Sequence, residues 1–253
     1  MIRHAHLEGE AFFWPSGSVG ILLVHGFTAT TAEVRPLAHK LHQHGYTVAA
    51  PLLPGHGTTP EDLNRIHWQD WVSAAEDVYW RLTEYCNDVL VGGESTGALV
   101  SLYLASQHAE AAGILTYAPA FMLNYTLLQR IQLHLAAPFI SSIRKANWTP
   151  HPLWQGYEVY PLKGTLQLFR LQKEIRGRLA DIHQPIVIVQ GRLDATVHRN
   201  VPDLISRSVI SPVKEIYWME KSGHLVILEQ ELGQVAEITL DFIQRSLTIG
   251  SGN

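Results

Sequence analysis

Apolar residues fall along this chain in two alternating rhythms. Short, almost unbroken apolar runs occur at residues 19–24, 46–51, 88–92, 113–118, 185–190 and 213–219. Such runs mark strands buried on both faces. Between them the apolar positions recur every three or four residues: Val34, Leu37, Ala38 and Leu41 within 32–44, Trp71, Val72, Ala75, Val78, Tyr79 and Leu82 within 68–85, and Ile238, Phe242 and Ile243 within 235–246. Each set predicts an amphipathic helix, and 98–106 continues as another. Thr30 or Thr31 supplies a cap for the first helix and Gly45 its stop, while Thr59, Pro60 and Glu61 open a short helical piece. Strand and helix in alternation predict an α/β fold, a mostly parallel central sheet with helices on both faces.

The rhythm breaks between Ala120 and Gln184, a segment with no clear strand and far longer than a crossover helix needs. It reads as a helical cap, residues 120–184, inserted into a core made of 1–119 and 185–253. Leu127, Leu128, Ile131, Leu133, Leu135, Phe139, Ile140 and Ile143 predict a pair of apolar helices there, and Trp148, Trp154, Tyr157 and Tyr160 form an aromatic stretch. Most of these pack the cap on the core. A cap also lines whatever cavity it covers, and an apolar lining suits an acyl chain better than a polar substrate.

With 253 residues, 46% of them hydrophobic, the chain is long enough for one large core. A net charge of −4 without any basic run leaves no electrostatic footprint for nucleic acid or an anionic membrane. A single cysteine, Cys86, forms no internal disulfide and fits a reducing compartment. The polar N-terminus lacks the apolar stretch of a signal peptide, so a cytoplasmic location is expected. The longest apolar run, 131–143, contains Pro138 and is too short to span a bilayer. No integral membrane segment is therefore expected, and contact with lipid is limited to transient encounters with lipid aggregates. His39, His42 and His44 lack an accompanying ligand cluster and read as a surface face, so no metal is expected. His4 and His6 read as a flexible terminus, and the glycines do not have dinucleotide-binding spacing.

The chemistry concentrates where strands end. The run 88–92 leads into Gly93-Glu94-Ser95-Thr96-Gly97 and straight on into helix. This Gly-x-Ser-x-Gly order is that of a nucleophile elbow, whose glycines let strand and helix approach and leave the serine hydroxyl exposed. A serine needs a base within hydrogen-bond reach and a carboxylate to hold that base. Sites on parallel sheets form at carboxyl ends of strands, which selects Asp194 and His224. Asp181 precedes its strand, Asp203 lies within a helix, and His198 opens one, so each is passed over. The N–H groups of Thr96 and Phe27 stand where an oxyanion would need donors.

Together, His25-Gly26-Phe27-Thr28, Gly55-His56-Gly57, Gly93-Glu94-Ser95-Thr96-Gly97, the Asp194 strand end and Ser222-Gly223-His224 resemble the α/β-hydrolase family over nearly the whole chain. More narrowly they resemble small bacterial carboxylesterases and monoacylglycerol lipases. The resemblance implies Ser95, Asp194 and His224 as a triad, Phe27 and Thr96 as oxyanion donors, and structural roles for His25 and His56. The segment Trp154-Gln155-Gly156-Tyr157-Glu158 with Pro161 resembles the one whose Glu contacts a glycerol head group, implying Glu158 as a polar anchor; Trp154 and Ile140, from the apolar cap that lines the cavity, are expected as further substrate contacts. Thr96 departs from the Met or Leu common in relatives, which implies a smaller, more polar pocket. The implied activity is a serine carboxylic-ester hydrolase acting through an acyl-enzyme on short-to-medium acyl esters, monoacylglycerols included. It needs no cofactor and no partner beyond a small-molecule ester. A dedicated monoacylglycerol lipase is the narrower alternative, and a non-catalytic ligand-binding relative is the alternative of a different class.

Overall fold

The computed structural model describes residues 2–146 and 151–250, so Trp148 lies outside the described residues. The strands are β1 (Ile2–Arg3), β2 (Phe12–Trp14), β3 (Val19–Val24), β4 (Thr47–Ala50), β5 (Asp88–Glu94), β6 (Gly113–Tyr117), β7 (Ser142–Arg144), β8 (Gly156–Tyr157), β9 (Val159–Pro161), β10 (Ile186–Gly191) and β11 (Lys214–Met219). The helices are α1 (Arg35–Gln43), α2 (Pro60–Leu63), α3 (Trp68–Tyr85), α4 (Thr96–Gln107), α5 (Leu127–Ala136), α6 (Leu162–Arg178), α7 (Val201–Ser208) and α8 (Leu232–Gly250).

Seven strands form one sheet in the order β2-β4-β3-β5-β6-β10-β11, parallel throughout except for β2, which pairs antiparallel with β4 at the edge. The unbroken apolar runs follow from where the side chains go. Leu22, Val24, Val91, Ile186 and Ile188 enter a core shared with α3, α4 and α6, while Ile21, Leu23, Leu90, Val187 and Val189 enter a second core under α1 and α8. Because successive strand side chains point to opposite faces, both registers must be apolar when both faces are covered. The chain leaves β3 toward β4 on one side, then returns to place β5 on the other. That reversal opens a crevice at the carboxyl ends of β3 and β5.

The cap departs from expectation. Residues 127–143 form one helix, not two: α5 ends before Pro138, and Ile143 lies in β7, paired antiparallel with β9. Proline cannot continue a helix interior, and strands this short carry no readable alternation. β8 pairs with β1, so the N-terminus is tied to the cap. His4 and His6 are accordingly not a loose tail: His4 Nδ1 donates to the Trp154 carbonyl at 2.7 Å, and Gln155 Nε2 donates to the carbonyls of His4 and Leu7 at 3.0 and 2.7 Å. The α6 helix belongs to the core layer, since Leu168, Leu171 and Ile175 are buried in the same cluster as Val91 and Ile186. The first helix also starts later than its periodicity suggests. Thr30 caps a short 3-10 turn, Thr31–Glu33, and α1 begins at Arg35, where Pro36 fits because first-turn N–H groups have no intrahelical acceptor.

Candidate active site

Ser95 follows β5 with φ 55° and ψ −111°, a conformation costly for a non-glycine residue. Its surroundings impose it. The Ser95 N–H donates to the Tyr117 carbonyl at 2.8 Å, and its own carbonyl accepts from Ala120 N–H at 3.1 Å. A Cβ on Gly97 would collide with the Val24 carbonyl oxygen and stand 2.8 Å from that of His25. The missing side chain is thus what lets α4 start so close to β3.

The residues selected at the ends of β10 and β11 converge on this serine. Ser95 Oγ donates to His224 Nε2 at 2.9 Å, and His224 Nδ1–H donates to Asp194 Oδ2 at 2.9 Å. Asp194, its side chain only 2% exposed, is saturated with donors. Oδ1 accepts from Thr196 and Val197 N–H at 2.7 and 3.0 Å, and Oδ2 also accepts from Gln190 Nε2 at 2.6 Å. Burial opposes its ionisation, but the charge and hydrogen bond of His224 and the two loop N–H groups outweigh it, holding the carboxyl below its usual range. Burial likewise opposes protonation of His224, yet Asp194, Glu33 and Glu229 bring its pKa above the ordinary value. The imidazole is therefore an oriented base whose protonated form is stabilised.

Carboxylates downstream shape the histidine loop. Glu229 accepts the N–H groups of Gly223 and Leu225, and Glu231 accepts Lys221 N–H and Ser222 Oγ–H at 2.8 and 2.6 Å. The His198 ring is engaged elsewhere: its Nδ1 accepts from Asn200 N–H at 3.3 Å. His25 is neutral near pH 7, because burial lowers its pKa to about 4. It donates from Nδ1 to the Gly26 carbonyl and accepts Leu53 N–H at Nε2, which is the structural role the resemblance implied.

Ser95 and His224 open into a cavity of about 560 Å³. Its apolar wall includes Phe27, Leu123, Trp154, Tyr160, Leu168 and Leu225, and its polar groups include Glu33, Lys145, His151 and Glu229. Trp154, expected as a substrate contact, lies on this wall. Glu158 is not part of this wall: its carboxylate is 3.8 Å from Arg3 Nε near the surface. Ile140 is also outside, 47% exposed beside a separate groove. Phe27 lines the cavity, and Thr96, as the first residue of α4, has an N–H with no intrahelical acceptor. The Thr96 side chain is fully buried with its hydroxyl unpartnered, and it is not among the residues that line the cavity. Glu94 is fully buried too, and burial, with Glu33 nearby, pushes its pKa well up. Glu33 also lines the cavity, although its local sequence points to another role. Thr30-Thr31-Ala32-Glu33 has the form of a capping box, in which Glu would reach the N-cap N–H, but Glu33 instead accepts from Gly26 N–H.

Residues 21–238 match the alpha/beta hydrolase family. Over 236 residues the chain is 33% identical to a thermostable monoacylglycerol lipase of Bacillus sp. (strain H-257), covering 93% of this chain and 94% of the relative. It is 28% identical over 237 residues to a carboxylesterase of Bacillus subtilis (strain 168), with 93% and 96% covered. One solved structure, described with LipS and LipT, two metagenome-derived lipolytic enzymes, superposes with a TM-score of 0.84 at 27% identity, covering 94% of this chain and 99% of that one. A soluble variant of monoglyceride lipase from Saccharomyces cerevisiae shares the fold at a TM-score of 0.77 and 18% identity, with 93% and 91% covered.

Proposed function

The chain belongs to the alpha/beta hydrolase family, and from that premise we propose that it is a serine hydrolase of carboxylic esters working through an acyl-enzyme. One observation carries the reading: Ser95, His224 and Asp194 form an unbroken hydrogen-bonded chain, 2.9 Å at each link, facing the cavity. Ser95 Oγ attacks the ester carbonyl while His224 Nε2 takes its proton, and Asp194 stabilises the resulting imidazolium. The Phe27 and Thr96 N–H groups hold the oxyanion. His224 then protonates the departing alcohol, leaving Ser95 acylated. Water enters, His224 removes its proton, and collapse of the second tetrahedral adduct releases the acid and restores Ser95.

The cavity volume lies within the roughly 300–1,000 Å³ usual for small-molecule sites. Its largely apolar wall supports short-to-medium acyl esters, and the similarity to a monoacylglycerol lipase supports including monoacylglycerols. Stopped-flow release of p-nitrophenol from p-nitrophenyl butyrate should show a burst followed by steady turnover. Ser95→Ala should lower kcat by at least about 10⁴-fold. Tight ester binding without turnover by the unmutated protein would overturn the enzyme reading in favour of a binding protein. A panel of monoacylglycerols and simple esters matched in chain length then ranks the alcohol group.

A further inference from the structure

Of the ionisable side chains that line the cavity without a task in that cycle, Glu33 and Lys145 grip the loop that carries Phe27. Glu33 comes from the core and is 2% exposed; Lys145 comes from the cap, just past β7. Glu33 Oε2 accepts Gly26 N–H at 2.5 Å. On the other side, Lys145 Nζ donates to Thr28 Oγ1 at 2.7 Å, and Thr28 Oγ1 donates to the Phe27 carbonyl at 2.5 Å. Between these grips, the Gly26 carbonyl accepts from His25 Nδ1 at 3.0 Å and Ala29 N–H at 3.3 Å. No peptide bond among the described residues is cis, so the Phe27 N–H points opposite that carbonyl. The peptides before and after the Phe27 N–H are therefore each held by a side chain.

The loop needs holding. Thr28 has φ 65°, a left-handed conformation that costs a non-glycine residue roughly 1–2 kcal/mol. Tyr157 N–H, from β8 of the cap, donates to the Thr28 carbonyl at 2.9 Å and adds a third restraint. Electrostatics point the same way. Glu33 is faced by Lys145, His224, Glu94 and Trp154, and Lys145 by Glu33, Glu158 and the rings of Trp154 and Tyr160. Burial pushes the Glu33 carboxyl up and the Lys145 ammonium down, and the charge of each partner opposes the other's shift. A lone carboxylate beside a developing oxyanion would oppose it, and the amine offsets that charge.

We propose that Glu33 and Lys145 are positioning residues that clamp the oxyanion loop from the core and from the cap, so that the β-structured part of the cap completes the catalytic geometry. This rests on the ester-hydrolase reading, with Phe27 as a donor. The competing role is a polar subsite for the substrate's alcohol group.

The test uses the full chain with p-nitrophenyl butyrate, monobutyrin and butylboronic acid, whose tetrahedral adduct on Ser95 also presents an oxygen to the oxyanion donors. Glu33→Ala and Lys145→Met should lower kcat on both esters by roughly 10- to 100-fold, with KM within about threefold, and should weaken boronate inhibition by a similar factor. Glu33→Gln keeps an acceptor for Gly26 N–H and should recover most of kcat. It should also move the acid limb of kcat/KM to lower pH, since His224, faced by Asp194, Glu33 and Glu229, loses one neighbouring negative charge. Circular dichroism checks folding, and if Glu33→Ala does not fold, Lys145→Met and Glu33→Gln decide. Unchanged kcat and boronate affinity in Lys145→Met and an unmoved acid limb in Glu33→Gln would overturn the clamp. So would losses confined to KM for monobutyrin. If the unmutated protein hydrolyses neither ester, the hydrolase reading fails, while the boronate series still tests the clamp.

Discussion

Replacing Asp194 by Asn keeps the shape of the side chain and exchanges one oxygen for an amide NH₂, so its consequences can be followed bond by bond. The retained oxygen can still accept from Thr196 and Val197 N–H at 2.7 and 3.0 Å. The new NH₂ would occupy the position of Oδ2, where it meets two donors, Gln190 Nε2 and His224 Nδ1–H. Gln190 can yield, because its Oε1 is buried without a partner and rotation of the amide would present that oxygen to the new donor. His224 can yield only by giving up the Nδ1 proton. The imidazole then carries its proton on Nε2, facing Ser95 Oγ at 2.9 Å, and cannot accept the serine proton. The analogous change in serine proteases lowers kcat by about 10⁴-fold, or about 5.4 kcal/mol of transition-state stabilisation at about 1.36 kcal/mol per decade. The same loss is expected here, while stability falls by only about 1–3 kcal/mol because charged hydrogen bonds become neutral ones. Steady-state kinetics with p-nitrophenyl butyrate and urea unfolding measure the two effects. A kcat reduced less than tenfold in a folded variant would refute the reasoning, since another carboxylate, Glu33 or Glu229, would then be setting the tautomer.

Two further outcomes follow from the same geometry. The acid limb of kcat/KM reports the free imidazole, and because Asp194, Glu33 and Glu229 outweigh the opposing effect of burial on His224, activity should fall as pH drops through a value above the ordinary histidine pKa of about 6.5; a midpoint at or below that value in a pH–rate profile contradicts the assignment. Gly97→Ala would drive a methyl group into the Val24 carbonyl, and since both sides of the clash are backbone it should destabilise the fold by about 3 kcal/mol and reduce soluble yield. Unfolding at unchanged urea concentration would show that α4 can shift without cost.

The chain by itself determined the parallel strands of the sheet and the family resemblance, and it singled out the residues we propose as a triad, all for a shared reason. Each residue proposed as catalytic lies just past the end of a strand, and the parallel strands announce themselves by runs that are apolar in both registers because both faces of the sheet are covered. The elbow is equally local: Gly93, Ser95 and Gly97 are neighbours, and the turn they make depends on few distant residues. Tertiary structure decided the walls of the site. Glu33 reads as a capping or solvated glutamate until Gly26 N–H is seen to need it, Gln190 as a strand residue until it meets Asp194, and Lys145 as a cap surface charge until Thr28 is placed beneath it. Glu158 and Ile140 lie off the cavity wall, since neither a segment that matches by order nor an apolar position in the cap records which way a side chain turns. The cap is held by pairs too short to leave a pattern, β7 with β9 and β8 with the N-terminal β1. Its fold, and the polar wall it lends the cavity, were settled by long-range packing, in which hydrogen-bonding groups far apart in the chain had to find one another once buried.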